Sequence, residues 1–237
     1  MPVILPQRYD TFPAPRTVGH VQPTADGRSH PAHVARRGLD GVFWIGGGSG
    51  AGKSTVARTL AGRYGLGLYD TDAVMSDHAR RADPRRCPYL AAFLTMSMDE
   101  RWLRPPPTML ETFHWFRGEG FDLILDDLAA HPKPVLAEGF RLLPTLVPQP
   151  ANAVWLLPTP EFRRAAFDTR GSTWQIAGRT SDPPRALAGL LERDRLFTER
   201  LRAETREHHL PSITVDLGVT ETDLLTRVAR QLGLTDG

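Results

Sequence analysis

Short apolar runs alternate with stretches of helical periodicity over most of the chain. Five runs are short, apolar and bounded by Gly, Pro or polar residues: Val42–Ile45, Leu66–Tyr69, Val135–Ala137, Ala153–Leu157 and Ile213–Val215. Runs of this kind are typical of strands buried on both faces of a parallel sheet. The pattern therefore predicts five parallel strands.

Six helices are predicted between and after these strands: Lys53–Tyr64, Thr71–Arg81, Pro88–Met96, about Thr108–His131, Pro184–His208 and Glu221–Leu232. The last three carry apolar residues at helical spacing, which is typical of a helix with one buried face. Strands and helices in alternation predict an α/β fold, with a doubly wound sheet between two layers of helices.

One segment fits two interpretations. Phe121–Asp127 has the composition of a strand that ends in acidic residues, and Val135–Glu138 fits the same description. Only seven or eight residues separate them, whereas a parallel crossover needs about a dozen or more. We predict a helix for the first and a strand for the second, because four apolar residues of the first share one helical face: Phe121, Ile124, Leu125 and Leu128.

Length and composition indicate one domain with an N-terminal extension. Residues 1–40 are rich in Pro, Arg, His and Gly and show no periodicity, so we expect a flexible or surface-bound segment in which Val3-Ile4-Leu5 is a candidate edge strand. Residues 41–237 suit one α/β domain, and the hydrophobic content of 41% is enough for a core.

Charge and cysteine content exclude several classes of protein. The net charge of +2 does not indicate a nucleic-acid partner, and the single Cys87 excludes an internal disulfide and a zinc cluster. No run approaches the ~20 apolar residues of a membrane span, and there is no signal-peptide pattern. We expect a cytoplasmic enzyme, as a monomer or homodimer, with no membrane partner.

A glycine-rich loop follows the first strand and opens the first helix. It fills the phosphate-binding pattern G-x-x-x-x-G-K-[ST] and comprises Gly47, Gly48, Ser49, Gly50, Ala51, Gly52, Lys53 and Ser54, with Thr55 after it. Glycines let consecutive N–H groups face one phosphate, and the helix N-terminus adds partial positive charge. The motif predicts ATP as cofactor, with Lys53 at the β/γ-phosphates and Ser54 on Mg²⁺.

The use of lysine supports this interpretation. The chain has 27 arginines and only two lysines, Lys53 and Lys133. A lysine at the motif position of so arginine-rich a chain indicates that a compact ammonium group is needed there.

Two acidic motifs follow predicted strands. In Asp70-Thr71-Asp72, we expect Asp70 to hold Mg²⁺ through a water and Asp72 to accept a hydrogen bond from an acceptor hydroxyl; an ordinary helix cap is the alternative. In Glu138-Gly139-Phe140-Arg141, Glu138 is a candidate to orient or deprotonate a substrate hydroxyl or to join the metal shell, and Arg141 to bind a substrate anion. An ordinary strand-to-loop transition is the alternative.

An arginine-rich segment follows the fourth strand. Arg163, Arg164 and Arg170 are candidate clamps for a phosphoryl group in transfer, on a flap that would exclude water. The alternative is a solvated helix face, which we expect for Arg193 and Arg200 with their acidic neighbours Glu192 and Glu199.

From about Gly41 to Leu234 the chain resembles the small-molecule P-loop kinases, which include nucleoside, nucleotide, shikimate and gluconate kinases and zeta toxin. Asp70-Thr71-Asp72 looks like the D-x-D of shikimate-type kinases, in which the first Asp serves Mg²⁺ and the second binds the acceptor. Glu138-Gly139 is similar to the end of the third strand in uridine-kinase relatives. The resemblance implies sheet order 2-3-1-4-5, a helical lid at about 160–182, and adenine near Asp216–Thr220.

The sequence also departs from these kinases. It lacks a G-G-G or G-G-R motif after the third strand, which argues against shikimate as substrate, and it lacks the N-K-x-D motif of GTPases. The insertion Arg81–Pro107 matches no subfamily. We expect an ATP- and Mg²⁺-dependent phosphotransferase acting on a hydroxyl of a small molecule. Two alternatives stay open: an ATPase or nucleotide switch that acts through a protein partner, with Asp126-Asp127 as its Walker B acid, and a toxin-like nucleotide-sugar kinase.

Overall fold

The fold is described from a computed structural model in which residues 38–148, 152–170 and 172–234 are described. The predicted N-terminal extension, including Val3-Ile4-Leu5, lies outside the described residues except for residues 38–40.

Five parallel strands form one sheet in the order β2-β3-β1-β4-β5, which confirms the predicted fold class and strand order. The strands are β1 Val42–Gly47, β2 Gly67–Asp70, β3 Val135–Glu138, β4 Asn152–Pro158 and β5 Ser212–Val215. The register pairs Ile45 of β1 and Asp70 of β2 with Glu138 of β3. These three strands therefore end at one level, where the acidic motifs meet the glycine-rich loop.

Helices cover both faces of the sheet. On one face, apolar residues of β1, β3 and β4 pack against α1 and α10; on the other, β1 and β4 pack against α6 and α9. The helices of the described residues are α1 Lys53–Tyr64, α2 Met75–Arg81, α3 Pro88–Thr95, α4 Met98–Trp102, α5 Pro106–Thr112, α6 Phe121–Ala130, α7 Pro160–Arg170, α8 Ser172–Ala177, α9 Pro183–Glu207 and α10 Glu221–Gln231, with a 3-10 turn at His114–Arg117. Not one of them is long and apolar enough to span a bilayer.

The single helix predicted over Thr108–His131 is wrong. The segment divides into α5, the 3-10 turn and α6. Phe113 is extended and ends α5, and Gly118 and Gly120 adopt left-handed conformations, with φ of 80° and 69°, between the 3-10 turn and α6. The helix predicted from Thr71 also begins later, at Met75. Oδ1 of Asp70 accepts hydrogen bonds from the amides of Asp72 and Ala73 and holds that stretch as a turn.

The segment Phe121–Asp127 is helical, as predicted, and Val135–Glu138 is the strand. Asp126 is exposed on α6. Asp127 accepts a hydrogen bond from the Tyr69 hydroxyl at 2.9 Å, bonds to the His78 ring at 2.8 Å and pairs with Arg81 at 3.0 Å. It therefore joins β2, α2 and α6, and neither aspartate ends a strand as a Walker B acid does.

The insertion after α2 packs against the long helix α9. Phe93, Trp102 and Met109 of the insertion side form a cluster with Ala177 of α8 and Leu190 of α9. Ser181, in the turn before α9, donates from its amide and its hydroxyl to the Asp99 carboxylate. The insertion, the end of the predicted lid and α9 are thus held together next to the sheet edge.

Candidate functional site

The glycine-rich loop runs from the end of β1 to the start of α1 in a path that needs glycine. Gly47 has φ of 129°, and a Cβ there would collide with the carbonyl oxygen of Leu156. Gly52 precedes α1 with φ of 83°. The amide of Gly48 donates to the Leu156 carbonyl at 3.0 Å, so the entry of the loop is fixed to β4. This strand, loop and helix N-terminus match the arrangement that cradles phosphates.

Lys53 folds back over the loop that it follows. Its ammonium group donates to the carbonyl oxygen of Gly48 at 2.8 Å, and the residue is 7% exposed. The second lysine is used differently, because Lys133 donates to the carbonyls of Leu128 and His131 at the end of α6. Of the two lysines, only Lys53 holds an ammonium group over the loop.

The carboxyl groups of Asp70, Asp72 and Glu138 lie at the C-terminal ends of strands β2 and β3. Glu138 is 2% exposed, and its Oε2 has no hydrogen-bond partner among the described residues. The same holds for Oδ1 of Asp72, within the part of the chain that is described. A buried acceptor without a donor costs free energy. These two oxygens therefore point to a ligand.

The same two carboxyl groups titrate close to neutral pH. Burial raises the pKa of Asp72 to about 6. The charge of Lys53 opposes this rise, and the charge of Asp70 adds to it. Burial also raises the pKa of Glu138 to about 7, and the charges of Asp72 and Asp70 add to the rise. The charge of Lys53 and a hydrogen bond from Ser54 lower the pKa of Glu138 and so offset part of this rise.

The donor set fits a nucleoside triphosphate with Mg²⁺. Ser54, Asp70, Asp72 and Glu138 offer hydroxyl and carboxylate oxygens, the ligands that Mg²⁺ prefers, beside a loop built for phosphates. Within residues 38–148, 152–170 and 172–234, no group of three His, Cys, Asp or Glu side chains is arranged to hold a metal alone. A metal here would need phosphate and water ligands, as Mg²⁺ usually does in phosphotransferases.

Replacing Glu138 with glutamine should stabilise the ligand-free protein at high pH. The folded state binds the Glu138 proton more tightly than the unfolded chain does, so this group makes folding less favourable as the pH rises from about 4.5 to about 7. One pKa unit corresponds to about 1.4 kcal/mol, and we expect Glu138→Gln to gain on the order of 2–3 kcal/mol at pH 8 and almost nothing at pH 4. Thermal unfolding at both pH values measures this. Glu111→Gln, at an exposed position of α5, is the control, and a lower midpoint for Glu138→Gln at pH 8 would contradict the expectation.

Arg141 is buried behind the acidic edge. Its guanidinium donates to the carbonyls of Thr71 and Gly120, both at 3.3 Å, and lies 3.9 Å from the ring centre of Trp115. Burial lowers the pKa of Arg141 to about 10. These contacts fix the turn that carries Asp72; the predicted contact between Arg141 and a substrate anion stays a prediction.

The three candidate clamps occupy different positions on α7. Arg163 is 4% exposed, and its guanidinium pairs with Asp194 of α9 at 2.8 Å and donates to the Leu191 carbonyl. The Arg163 side chain also adjoins the loop, because a Cβ atom added to Gly50 would lie 3.6 Å from Cγ of Arg163. Arg164 is exposed on α7. Arg170 is the last residue of α7, and its side chain lies outside the described part of the chain.

The expectation of a solvated face at Arg193 is wrong. Arg193 is 8% exposed, and its Nε and Nη2 donate to Oδ1 of Asp194. The sequence contained a signal for this burial. Arg193 and Asp194 both lie three or four residues from Leu190 and from Phe197, so they share the helical face of these two apolar residues. Thr198, on the next turn of α9, lies against the glycine-rich loop. If Gly48 carried a Cβ atom, that atom would lie only 2.6 Å from Oγ1 of Thr198.

The loop predicted to lie near adenine connects β5 and α10. It follows the carboxyl end of β5, on the same edge of the sheet as the glycine-rich loop. Leu217 in this loop is 66% exposed, an unusual position for a large apolar side chain. Adenine binding there stays a prediction.

The sheet order and the glycine-rich loop define the chain's fold as that of the P-loop nucleoside-triphosphate-binding proteins. Several solved structures are similar, and three of them are described here. A gluconokinase from Sinorhizobium meliloti 1021 has 17% identity and a TM-score of 0.42, with 84% of this chain and 94% of that chain covered. An uncharacterized protein from Eubacterium ventriosum ATCC 27560 has 12% identity and a TM-score of 0.41, covering 81% and 97%. Shikimate kinase from Acinetobacter baumannii in complex with shikimate has 17% identity and a TM-score of 0.40, covering 81% and 92%.

No protein-family model matches the chain, and no curated protein sequence does. The three structures described above have TM-scores between 0.40 and 0.42 and are similar to this chain in fold only.

Proposed function

We propose that the protein is an ATP- and Mg²⁺-dependent phosphotransferase that transfers the γ-phosphoryl group to a hydroxyl of a small molecule. One observation carries the proposal: an ammonium group held over a phosphate loop stands beside the carboxyl groups of buried Glu138 and half-buried Asp72, each with a buried oxygen that lacks a donor within the described residues. A triphosphate-binding loop by itself would be compatible with the function of any P-loop protein. The buried acids add a place for an acceptor hydroxyl.

The loop and Lys53 bind the triphosphate. Backbone amides from Ser49 to Thr55 and the N-terminus of α1 face the phosphates, whereas the amide of Gly48 is bonded to β4. Lys53 exchanges its hydrogen bond with the Gly48 carbonyl for one with a β- or γ-phosphate oxygen. This exchange keeps the buried ammonium hydrogen-bonded in both states, so it needs no large rearrangement.

Ser54 and Asp70 are the residues that would hold Mg²⁺. Ser54 opens α1 next to Lys53, and its hydroxyl is bonded to Glu138. When bound, the metal supplies positive charge that offsets charge on the phosphate oxygens. Asp70 is oriented for this role by the amides of Asp72 and Ala73, which donate to its Oδ1.

Asp72 and Glu138 orient the acceptor hydroxyl and take up its proton. A general base works best when its pKa lies near the working pH, and the pKa values of about 6 and about 7 meet this condition. We assign the acceptor contact to Asp72 first. Glu138 lies deeper, at 2% exposure, and is bonded to Ser54.

The arginines of α7 complete the site. Arg163 is fixed by Asp194 and borders the loop, so it supplies positive charge in a constant position. Arg164 and Arg170 are proposed to approach the phosphoryl group from the lid. Positive charge placed in advance near the equatorial oxygens is the usual contribution of arginine to this reaction.

The competing interpretations have less support. The ATPase or switch needs a Walker B acid at Asp126-Asp127, but both residues lie on α6 and Asp127 bonds to Tyr69, His78 and Arg81. A toxin-like nucleotide-sugar kinase performs the same reaction on another acceptor. A screen of ATP consumption with nucleosides, sugars, polyol acids and nucleotide sugars separates these cases.

Replacing Lys53 with alanine should weaken binding of MgATP by at least tenfold, which is about 1.4 kcal/mol. The reason is the loss of the only ammonium group over the loop in the described structure. Titration calorimetry measures the affinity. Lys133→Ala is the matched control, because Lys133 is the second lysine and bonds to the end of α6. Equal affinity in Lys53→Ala and the wild type would remove the basis of the proposed function.

A further inference from the structure

The guanidinium of Arg193 lies among aromatic rings inside the protein. Its Cζ is 5.3 Å from the ring centre of Trp102 and 5.1 Å from those of Phe113 and Phe116. We call these three rings the aromatic cluster. Nε and Nη2 donate to Asp194, but Nη1 is buried and has no hydrogen-bond acceptor among the described residues. A charged donor without an acceptor in an apolar surrounding is unusual and calls for a ligand.

Arg193 lies close to the phosphate loop along α9. Thr198 comes five residues later, and its hydroxyl borders the loop at Gly48. Five residues of helix correspond to a rise of about 7.5 Å. Arg193 also shares the Asp194 carboxylate with Arg163, whose side chain adjoins the loop at Gly50, so a chain of direct contacts connects the Arg193 guanidinium to the loop.

Arg193 is also connected to the acidic edge through the same rings. Phe140 follows Glu138 by two residues, and its ring centre is 5.7 Å from that of Phe116 and 6.4 Å from that of Phe113. The aromatic cluster thus contacts both Phe140, in the segment that follows Glu138, and the buried cationic donor.

His114 adds neutral polarity to this region. It is fully buried, its ring centre is 4.8 Å from that of Phe113, and neither ring nitrogen has a partner in the described part of the chain. Burial lowers the pKa of His114 well below its ordinary value, so the imidazole is neutral. A neutral imidazole offers one donor and one acceptor, as sugar or polyol hydroxyls require.

We infer that the acceptor is an anion: a hydroxyl-bearing small molecule whose carboxylate or phosphate group binds Nη1 of Arg193 at the aromatic cluster. The inference rests on the phosphotransferase proposed above and specifies its substrate class. A guanidinium held on two sides by Asp194 and by aromatic rings keeps one edge oriented, which suits an oxyanion. The bound oxyanion would also complete the hydrogen bonds of Arg193.

Matched pairs of compounds test this inference by calorimetry in the presence of Mg²⁺ and a non-hydrolysable ATP analogue. D-gluconate with sorbitol and D-glycerate with glycerol probe a carboxylate; glucose 6-phosphate with glucose and a nucleoside monophosphate with its nucleoside probe a phosphate. We expect the anionic member of at least one pair to bind at least about 100-fold more tightly than the neutral one, because a site built around a polar group rejects ligands that lack it. The pair that shows this preference identifies the anion.

Arg193→Gln should reduce that preference to about threefold or less and leave the affinity for the ATP analogue within about twofold. Arg193→Lys keeps the charge but loses the planar donor pair, and we expect it to keep part of the preference. Arg200→Gln is the matched control, because Arg200 lies two helical turns further along α9 and pairs with Glu204. If Arg193→Gln does not fold, the comparison of Arg193→Lys with Arg200→Gln decides.

Three outcomes would overturn the inference: wild type that binds both members of every pair equally, wild type that binds none of them, or Arg193 variants that lose anionic and neutral ligands in parallel. Phosphorylation of neutral acceptors that depends on Lys53 would leave the proposed reaction intact and remove only the anion. Unchanged nucleotide binding in Lys53→Ala would instead remove the reaction itself.

Discussion

Asp72→Asn should lower kcat by about 10³-fold and leave the KM for ATP within about twofold. Asparagine keeps the shape of the side chain but does not accept a proton from the acceptor hydroxyl, and a positioned general base contributes 10²–10⁴-fold. The residue stands beside Lys53 at the sheet edge, and its Oδ1 has no donor among the described residues. Steady-state kinetics with an acceptor identified by the screen measures both constants.

The pH dependence gives a second measurement on the same residue. Because the pKa of Asp72 is raised to about 6, the wild-type kcat/KM for the acceptor should fall as the pH drops through about 6, where the base becomes protonated. The positive charge of bound Mg²⁺ moves this limb to lower pH, and the negative charge of the triphosphate moves it to higher pH, so the profile is measured at constant, saturating MgATP. In Asp72→Asn the limb should disappear, together with most of the rate.

Asp126→Asn is the matched control. Asp126 is exposed on α6, and the substitution has the same chemistry, so we expect wild-type rates. If Asp126→Asn abolished ATP hydrolysis and Asp72→Asn did not, the phosphotransferase proposal would be contradicted in favour of the switch. If neither changed kcat, Glu138 would take over the assignment as base.

The parts of the fold that the sequence predicts well are those determined by local pattern. The five strands are short apolar runs in a sheet buried on both faces, and the loop motif fixes where β1 ends and α1 begins. The parallel sheet then brings Asp70 and Glu138 to one level by register alone. The sequence alone therefore places both acidic motifs at one edge of the sheet.

The errors arise where burial is decided by distant residues or by backbone conformation. Gly118 and Gly120 interrupt a stretch with continuous helical periodicity, and only their left-handed φ values reveal the break. Arg193 looks like a surface charge in a chain with 27 arginines. Its burial depends on the rings of Trp102, Phe113 and Phe116, which are distant in sequence and which no local window includes.

The proposed acceptor site was out of reach of the sequence for the same reason. Trp102 comes from α4, Phe116 from the 3-10 turn and Arg193 from α9, and the three meet only through tertiary packing. The insertion Arg81–Pro107 has no recognisable motif, yet it supplies part of this wall. Motifs identify the proposed nucleotide site, whereas the proposed acceptor site depends on packing between elements distant in sequence.

Asp194→Asn should destabilise the protein by about 3–5 kcal/mol, the cost of removing one partner from a buried ion pair. The Asp194 carboxylate pairs with Arg163 of α7 at 2.8 Å and with Arg193, and both arginines are almost fully buried. For a domain of this size the midpoint of thermal unfolding should fall by roughly 10 °C. Urea titration and calorimetry measure the change. Glu199→Gln is the control, because Glu199 pairs with Arg202 at an exposed position of the same helix, where we expect a change below about 1 kcal/mol.

The loss should depend on pH in a defined direction. Burial by itself raises the pKa of Asp194, but the charges and hydrogen bonds of Arg193 and Arg163 outweigh it and hold the pKa below its ordinary value. This stabilisation is present above the unfolded-state pKa of about 4 and is lost as the pH falls below it. The difference between wild type and Asp194→Asn should therefore shrink in acid. A constant difference would mean that packing, and not charge, sets the loss.

A double variant separates the stranded charge from the lost contact. In Asp194→Asn the Arg163 guanidinium stays buried without its carboxylate, so removing that charge as well, in Asp194→Asn with Arg163→Met, should restore part of the lost stability. The same double variant should still lose phosphotransfer, because Arg163 borders the loop at Gly50. Stability that recovers while activity does not would show that this buried pair is kept to place charge beside the phosphate loop. Recovery of both would assign Arg163 to the fold alone.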